Sequence, residues 1–491
     1  MRAALAACGA LLALAGCANL APPGPYALHA VSPQDAECLR AFEALDTAVE
    51  RAGVRDAEAD RIAGFPSLRV DRLGAALRPQ AAADDAAFDA WLQRARRLDL
   101  EARRIERDNL PSHDAALPSA AELAACSQRL TDTLRTDAAV RPALLARAQV
   151  PDRYSATLRV AGLYALTRVP FFAGVERWQR AHEAAMRDAA AEPRPATRLV
   201  PDRQETAPSV AAFERDALGL PRLDDAAAER LLAAHAPVFD VEARGPFDAV
   251  GVPLWRADGR LGVDGTRPVV YQRVAHTLVH GRPLLQLVYT LWFAERPKRS
   301  PFDLLGGTLD GVVVRLTLGP DGRPLMLDTM HACGCYHLFF PAPGVTLKPG
   351  APADVEWAFV PAALPALAPS QRIVVRLESA THYVLGVSAT ASLTASDTRY
   401  ARRPESDLQR LPSPGGGTRS LYGPDSLVAG SERAERFLFW PMGIASAGAM
   451  RQWGHHATAF VGRRHFDDAD LLDRRFDFPK AEEPARAGSS R

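Results

Sequence analysis

The period of the hydrophobic pattern changes once along this chain, near residue 236, and that change restricts the fold more than any other feature. Before it, apolar residues recur at three- and four-residue spacing, as on one face of a helix; after it they alternate, as on a strand. Cys38, Leu39, Phe42, Leu45 and Val49 form one such face behind Ser32-Pro33, which supplies an N-cap and a proline at the first helical position. A long helix is expected over 84–108, carrying Phe88, Leu92, Leu98 and Ile105. Ser119-Ala-Ala-Glu122 is a capping box, and Leu123, Cys126 and Leu130 share the face that follows. Helical pattern returns over 154–190 and 223–235.

Beyond 236 valine, threonine, glycine, proline and aromatics rise. Residues 266–279, the turn His280-Gly-Arg-Pro283 and residues 284–294 read as a hairpin. Further strands are expected over 308–318, 323–330, 334–340, 355–360, 371–378, 381–390 and 434–441, punctuated by Gly306-Gly307, Pro320-Asp-Gly322 and Pro349-Gly350. The expected class is α+β. A helical domain over 32–235 precedes a β-rich antiparallel domain over 236–478, sandwich- or barrel-like, with a disordered tail over 479–491.

The chain opens MRAALAACGALLALAGC, with one charge at Arg2 and an uncharged apolar run over 3–16. That run is too short for a bilayer core, which needs ~20 apolar residues, and has the layout of a secretory signal. It ends Leu14-Ala15-Gly16-Cys17, which resembles the lipobox of bacterial lipoproteins. The resemblance implies that residues 1–16 are removed and that Cys17 is acylated as the new N-terminus, tethering a linker over 17–31 to the membrane. Ala18 and Asn19 lack the aspartate that favours inner-membrane retention in that class, which implies an outer-membrane location in the cell envelope.

Loss of residues 1–16 takes one arginine from 59 basic residues and leaves as many basic as the 58 acidic ones. A neutral chain has no global field to favour nucleic acid. Of the six cysteines, Cys8 leaves with the signal and Cys17 takes lipid. Four remain in a compartment that permits disulfides. Cys38 and Cys126 each lie on an apolar helix face, where they either staple two helices or pack as buried thiols.

The segment Asp328-Thr-Met-His331-Ala-Cys333-Gly-Cys335-Tyr-His337 carries the densest chemistry. On an extended strand His331, Cys333, Cys335 and His337 project to one side, an arrangement that suits zinc or copper. A straight strand of that length spans ~20 Å, so one ion takes two of these neighbours and needs others, with His276, His280, His382, His455, His456 and His465 available. Two further readings stay open. Cys333 and Cys335 can close as a strained, exchange-active disulfide if the chain turns at Gly334. Alternatively, all four residues simply pack, leaving a non-catalytic envelope protein with a helical spacer and a β-rich binding module.

Weaker features surround this block. Glu295, Asp303 and Asp310 offer carboxylates for acid–base work, or cap turns. Asp467 reads as an N-cap ahead of a helical pattern through Phe476. Residues 164–178 are apolar enough to lie against a membrane, or form helix core. The sequence holds no His-Glu-x-x-His, Gly-x-Ser-x-Gly, Walker loop or Cys-x-x-Cys-His. Metalloprotease, lipase, nucleotide-hydrolase and cytochrome readings therefore lack support.

Overall fold

The computed structural model describes residues 32–111, 117–203, 205–368 and 370–479. The expected signal segment over 1–16, Cys17, the expected linker over 17–31 and residues 480–491 of the expected tail lie outside the described residues.

The first lobe is built on local signals. Helix α1 (Pro33–Ala52) starts where Ser32 Oγ accepts from Asp35 N at 3.0 Å, and stops at Gly53, whose φ of 67° is left-handed. A hairpin of β1 (Asp60–Ile62) and β2 (Phe65–Val70) follows, then the short helices α2 (Arg72–Ala76) and α3 (Arg78–Ala81). Helix α4 (Asp85–Asp108) is capped by Asp84, and α5 (Ala120–Thr136) by the Ser119/Glu122 box. The Cys38–Cys126 disulfide, with Cα atoms 5.1 Å apart, joins α1 to α5. Inside the lobe Arg69, Asp99, Arg103 and Glu106 are fully buried in one ionic network, with Arg69 Nη2 to Glu106 Oε1 and Arg103 Nε to Asp99 Oδ2 both at 2.7 Å. Pairing of this kind is what allows charges to be dry.

Three more helices lead out of the lobe: α6 (Arg141–Arg147), α7 (Ala156–Ala161) and α8 (Tyr164–Ala191). Strand β3 (Thr197–Pro201), helix α9 (Asp225–His235) and strand β4 (Val238–Val241) come next. The remaining strands are β5 (Val252–Trp255), β6 (Leu261–Asp264), β7 (Val269–Val279), β8 (Arg282–Arg296), β9 (Gly307–Leu318), β10 (Pro324–His331), β11 (Leu338–Pro341), β12 (Thr346–Leu347), β13 (Arg372–Leu377), β14 (Val384–Thr390), β15 (Thr398–Pro404) and the two-residue β16 (Leu411–Pro412), β17 (Thr418–Arg419) and β18 (Phe476–Asp477).

Ten of these strands form one sheet in the order β11-β10-β9-β8-β7-β15-β3-β4-β13-β14, curled until it nearly closes into a barrel. The molecule is α+β, with helices first and the β-rich part second. The antiparallel meander β7 to β11 is the part of the sheet with the strongest sequence signal. The sheet is nonetheless mixed, because β15 runs parallel to both β3 and β7, and β13 parallel to β4. Strand β8 explains its own unbroken apolar run. Leu287, Tyr289, Leu291 and Phe293 face a core shared with α8 and α9, while Val288 and Trp292 face a second core closed by the C-terminal segment through Leu408, Leu421 and Phe466. A strand covered on both faces needs no alternation.

Several sequence expectations are corrected. Strand β3 precedes residue 236 yet lies inside the sheet, so the helical and β-rich parts share elements across that point. Residues 334–340 are not one strand, because only Leu338–Pro341 is extended and a turn precedes it. Residues 434–441 are helical, with α10 (Arg436–Phe439) at their centre. Residues 355–360 contribute only a bridge from Phe359 to Leu338. The segment after Asp467 is a series of turns in which Asp468, not Asp467, accepts from His465 N at 3.0 Å.

Candidate functional site

The 331–337 segment folds as a tight hairpin turn between β10 and β11. His331 N donates to Cys335 O at 2.9 Å and Gly334 N to His331 O at 2.7 Å. Gly334 (φ 94°) and Tyr336 (φ 59°) both have left-handed backbones. At Gly334 any Cβ would also sit 2.7 Å from the Ala457 carbonyl oxygen, so only glycine fits.

The turn removes the one-sided face expected of a strand and sends the two histidines to different carboxylates. His331 Nδ1 lies 3.4 Å from Asp310 Oδ1, whereas His337 Nε2 lies 2.8 Å from Asp328 Oδ2. Asp328 also takes Arg315 Nε at 3.0 Å and Nη2 at 2.6 Å, so His337 belongs to a buried structural network. Burial, only partly offset by that carboxylate, drops His337 to a pKa of about 3. Among the described residues no group of three or more His, Cys, Asp and Glu is placed to hold a metal ion. The other late histidines lie elsewhere: His455 Nε2 against Ala57 O at 2.6 Å, His456 Nε2 against Ala332 O at 3.1 Å, His465 between Asp152 and Asp468, His280 Nε2 3.9 Å from Asp473 Oδ1, and His276 on β7 opposite Leu285.

His382 is the candidate that does join His331, and it does so through Asp310. His382 Nδ1 lies 2.7 Å from Asp310 Oδ2, and its Nε2 lies 3.5 Å from Asp248 Oδ1. The chain Asp248, His382, Asp310, His331 thus runs through the core with every member buried. Burial works against charge throughout it. The two carboxylates overcome that at His382 and raise its pKa, while the facing histidines hold Asp310 well below the usual carboxylate range. Asp303 instead caps its own turn, accepting from Arg299 N at 3.0 Å and Leu305 N at 2.9 Å. Glu295 is exposed. The three acids of that stretch therefore do not form a catalytic pair.

The other side of the turn borders a cavity of about 570 Å³. Helix α8 roofs it with Phe171, Val175 and Trp178, and the turn supplies Cys335 and Tyr336. Trp357, Phe359, Tyr383, Phe439 and Phe460 add to the aromatic lining. The rings hold one another: Trp178 to Tyr336 at 4.9 Å, Tyr336 to Tyr383 at 4.6 Å and Phe171 to Phe439 at 5.3 Å between centroids. Edge and tilted contacts of this kind fix an aromatic wall in place. Arg296 lies over Tyr383 and donates to its hydroxyl at 3.0 Å. His331 sits behind the wall, its ring 5.0 Å from that of Tyr336.

Two ionisable groups in the lining stand out. Burial raises the Glu435 carboxyl to a pKa of about 7, against the opposing pull of Arg296 and Arg433, so near neutral pH it both donates and accepts protons. The Cys335 thiol is pushed well above its ordinary value by a hydrogen bond with Cys333 and by burial. Cys333 and Cys335 are both free and flank Gly334 in the turn. Glu435, Trp178 and Tyr383 were not singled out from the sequence. Glu435 stands at the head of the run Arg436-Phe-Leu-Phe-Trp440, whose signal reads as a strand, Trp178 closes the apolar segment 164–178, and Tyr383 carries no local mark.

No family model matches the chain, and no curated protein sequence matches it. A solved structure titled "Toxin fold for microbial attack and plant defense" aligns with 40% of this chain and 82% of its own length at 16% identity. Its TM-score of 0.20 is too low to bear on fold or function.

Proposed function

We propose that this chain is a lipid-anchored protein of the bacterial cell envelope that binds a hydrophobic or amphipathic small molecule between helix α8 and the 331–337 turn. The cavity carries this reading. At about 570 Å³ it falls in the range of ligand sites, ~300–1,000 Å³, and it has their composition: an apolar, aromatic body with a few convergent polar groups. Glu435 and Cys335 are those groups, and they would fix the orientation of a polar head. The Leu14-Ala15-Gly16-Cys17 motif supports the anchor, with the outer membrane as its site. Metabolic labelling with palmitate tests that part, because label should enter the wild-type chain and be lost with Cys17→Ser.

Binding is tested by titrating the protein with a fluorescent long-chain fatty acid. Saturable, stoichiometric binding that quenches tryptophan emission is expected, since Trp178 forms part of the wall. Gly174 also lines the cavity, and a Cβ there meets nothing within 4 Å, so Gly174→Trp fills the space without a clash at its base. That variant should weaken binding at least about tenfold, the equivalent of ~1.4 kcal/mol. Unchanged binding by a folded Gly174→Trp protein would refute the site.

A second reading is favoured by one observation, the two free thiols of Cys333 and Cys335 on either side of Gly334, with Cys335 on the cavity wall. The Cys335 thiolate would attack a small disulfide and release one thiol. Cys333 would then displace the second, so that the dithiol becomes a disulfide and the substrate becomes two thiols. The raised pKa of Cys335 makes this slow at neutral pH. Thiol counting after exposure to oxidised glutathione decides it, as two thiols that never disappear exclude the reaction. Zinc or copper at His331, Cys333, Cys335 and His337 finds no support in this arrangement, because the histidines are held by separate carboxylates.

A further inference from the structure

Helix α8 is buried on one end only. Its buried residues are His182, Met186 and Ala189, and His182 Nε2 fixes that end 2.9 Å from Val384 O. The first half projects over the cavity with Phe171, Val175 and Trp178 on its inner side. Its outer side is apolar too. Val160, Leu163, Leu166 and Val169 recur every third residue through α7 and α8 and are 63% to 77% exposed. Two neighbouring segments continue the surface: Phe302, 89% exposed, and Phe437, 72% exposed. The three pieces touch. Arg159 Nε donates to Met442 O at 2.9 Å, tying α7 to the turn after α10, and Glu435 N donates to Leu304 O at 3.1 Å. Leu438 is 55% exposed and also lines the cavity, so the outer surface and the cavity lining are continuous. Scattered surface leucines need no explanation, but a contiguous patch of this kind marks an interface.

The charges at its border say what covers it. Arg177 and Arg180 are exposed along α8, and Lys298 and Arg299 are exposed just before Phe302. Arg436 precedes Phe437. These five basic groups outnumber the acids of the same segments, Glu176, Asp303 and Glu435, of which Glu176 pairs with Arg180 at 4.0 Å, Asp303 is occupied by backbone amides and Glu435 is buried. A local basic rim around apolar side chains, on a chain whose charges otherwise balance, complements an anionic lipid surface. We propose that this face, from Val160 to Val169 with Phe302 and Phe437, docks on an anionic lipid bilayer and sets the cavity mouth against the lipid. Pro170 lies inside α8 at the edge of the mouth, where it removes one helical hydrogen bond and leaves the roof a natural point of bending. That the ligand passes between bilayer and cavity rests on the binding function proposed above; the docking itself does not.

The test places a solvatochromic fluorophore on Leu166→Cys in the full chain, incubated with vesicles of phosphatidylethanolamine and phosphatidylglycerol. Arg260→Cys, on the exposed β5–β6 turn, is the reference. The label at 166 should shift to the blue and become several-fold less accessible to iodide than the label at 260. The protection should fall when phosphatidylcholine replaces phosphatidylglycerol. Equal accessibility at both positions overturns the proposal. So does protection that appears without lipid and grows with protein concentration, since a second copy would then be the occupant. Leu166→Glu with Val169→Glu should abolish protection of a label at Phe437→Cys while leaving fatty-acid binding in solution unchanged. Docking that persists in a protein with no cavity binding would instead fault the binding function and leave the surface standing.

Discussion

Single residues set the electrostatic character of the cavity. Glu435 is held near a pKa of about 7 by burial, so it changes charge across neutral pH. A carboxylate ligand should bind about tenfold more tightly at pH 6 than at pH 8, because the ionised Glu435 repels it across the same small volume. Glu435→Gln should flatten that profile, and a fatty-acid titration at several pH values measures it. A fatty alcohol lacks the charge and should show little pH dependence in either protein. At the same scale, the 331–337 segment reads as an extended strand in the sequence and folds as a turn. His331 and His337 look like paired ligands only while the backbone is extended. The left-handed Gly334 and Tyr336 send them to Asp310 and Asp328. Asp310 meets His382 from 72 positions away, a partnership that no local pattern records.

At the scale of elements, legibility follows the range of the interactions. The ends of α1, α4 and α5 are written in residues three apart, so Ser32, Asp84 and the Ser119/Glu122 box are readable without a fold. The β7–β8 hairpin is equally local. The parallel joins of β15 to β3 and β7 depend on partners from distant parts of the chain, and nothing in 398–404 announces them. Helix α10 was lost because its short apolar run has no period long enough to separate helix from strand. The Cys38–Cys126 disulfide closes a separation of 88 residues, for which the entropic effect alone is about 4–5 kcal/mol. Cys38→Ser with Cys126→Ser should lower stability by about 2–4 kcal/mol in urea unfolding. Hydrogen exchange should localise the loss to α1 and α5 and leave β8 protected.

For the whole molecule, buried neutral histidines make acid a specific threat. His337 and His456 both have pKa values of about 3 in the fold, chiefly from burial, against 6.5 when unfolded. Their contribution is complete above pH 6.5 and is lost as pH falls toward 3, because the unfolded chain takes up protons that the fold refuses. Each is worth about 1.4 kcal/mol per pH unit in that window. Asp56 and Glu435, raised to about 7 by burial, slope the other way, so the comparison between variants is the measure. His456→Gln keeps a donor for the Ala332 carbonyl and removes the titration. Its stability should fall less steeply than wild type between about pH 6 and pH 4, by that amount per unit, in denaturant melts.

Strand β15 lies between β7 and β3 and pairs with both, yet it spans Thr398–Pro404, behind every other strand of the sheet. Until it is synthesised, the meander β7 to β11 and the group β3, β4, β13 and β14 are two separate half-sheets with open edges. Leu199 waits for Thr398, a contact order that makes assembly slow and places it after most of the chain has been made. For a chain proposed to cross a membrane before it folds, the late arrival of this one strand works as a timer. In a chain so exported, it would keep the polypeptide loose enough to be threaded through a channel, and lock the sheet only when the far side has received nearly all of it.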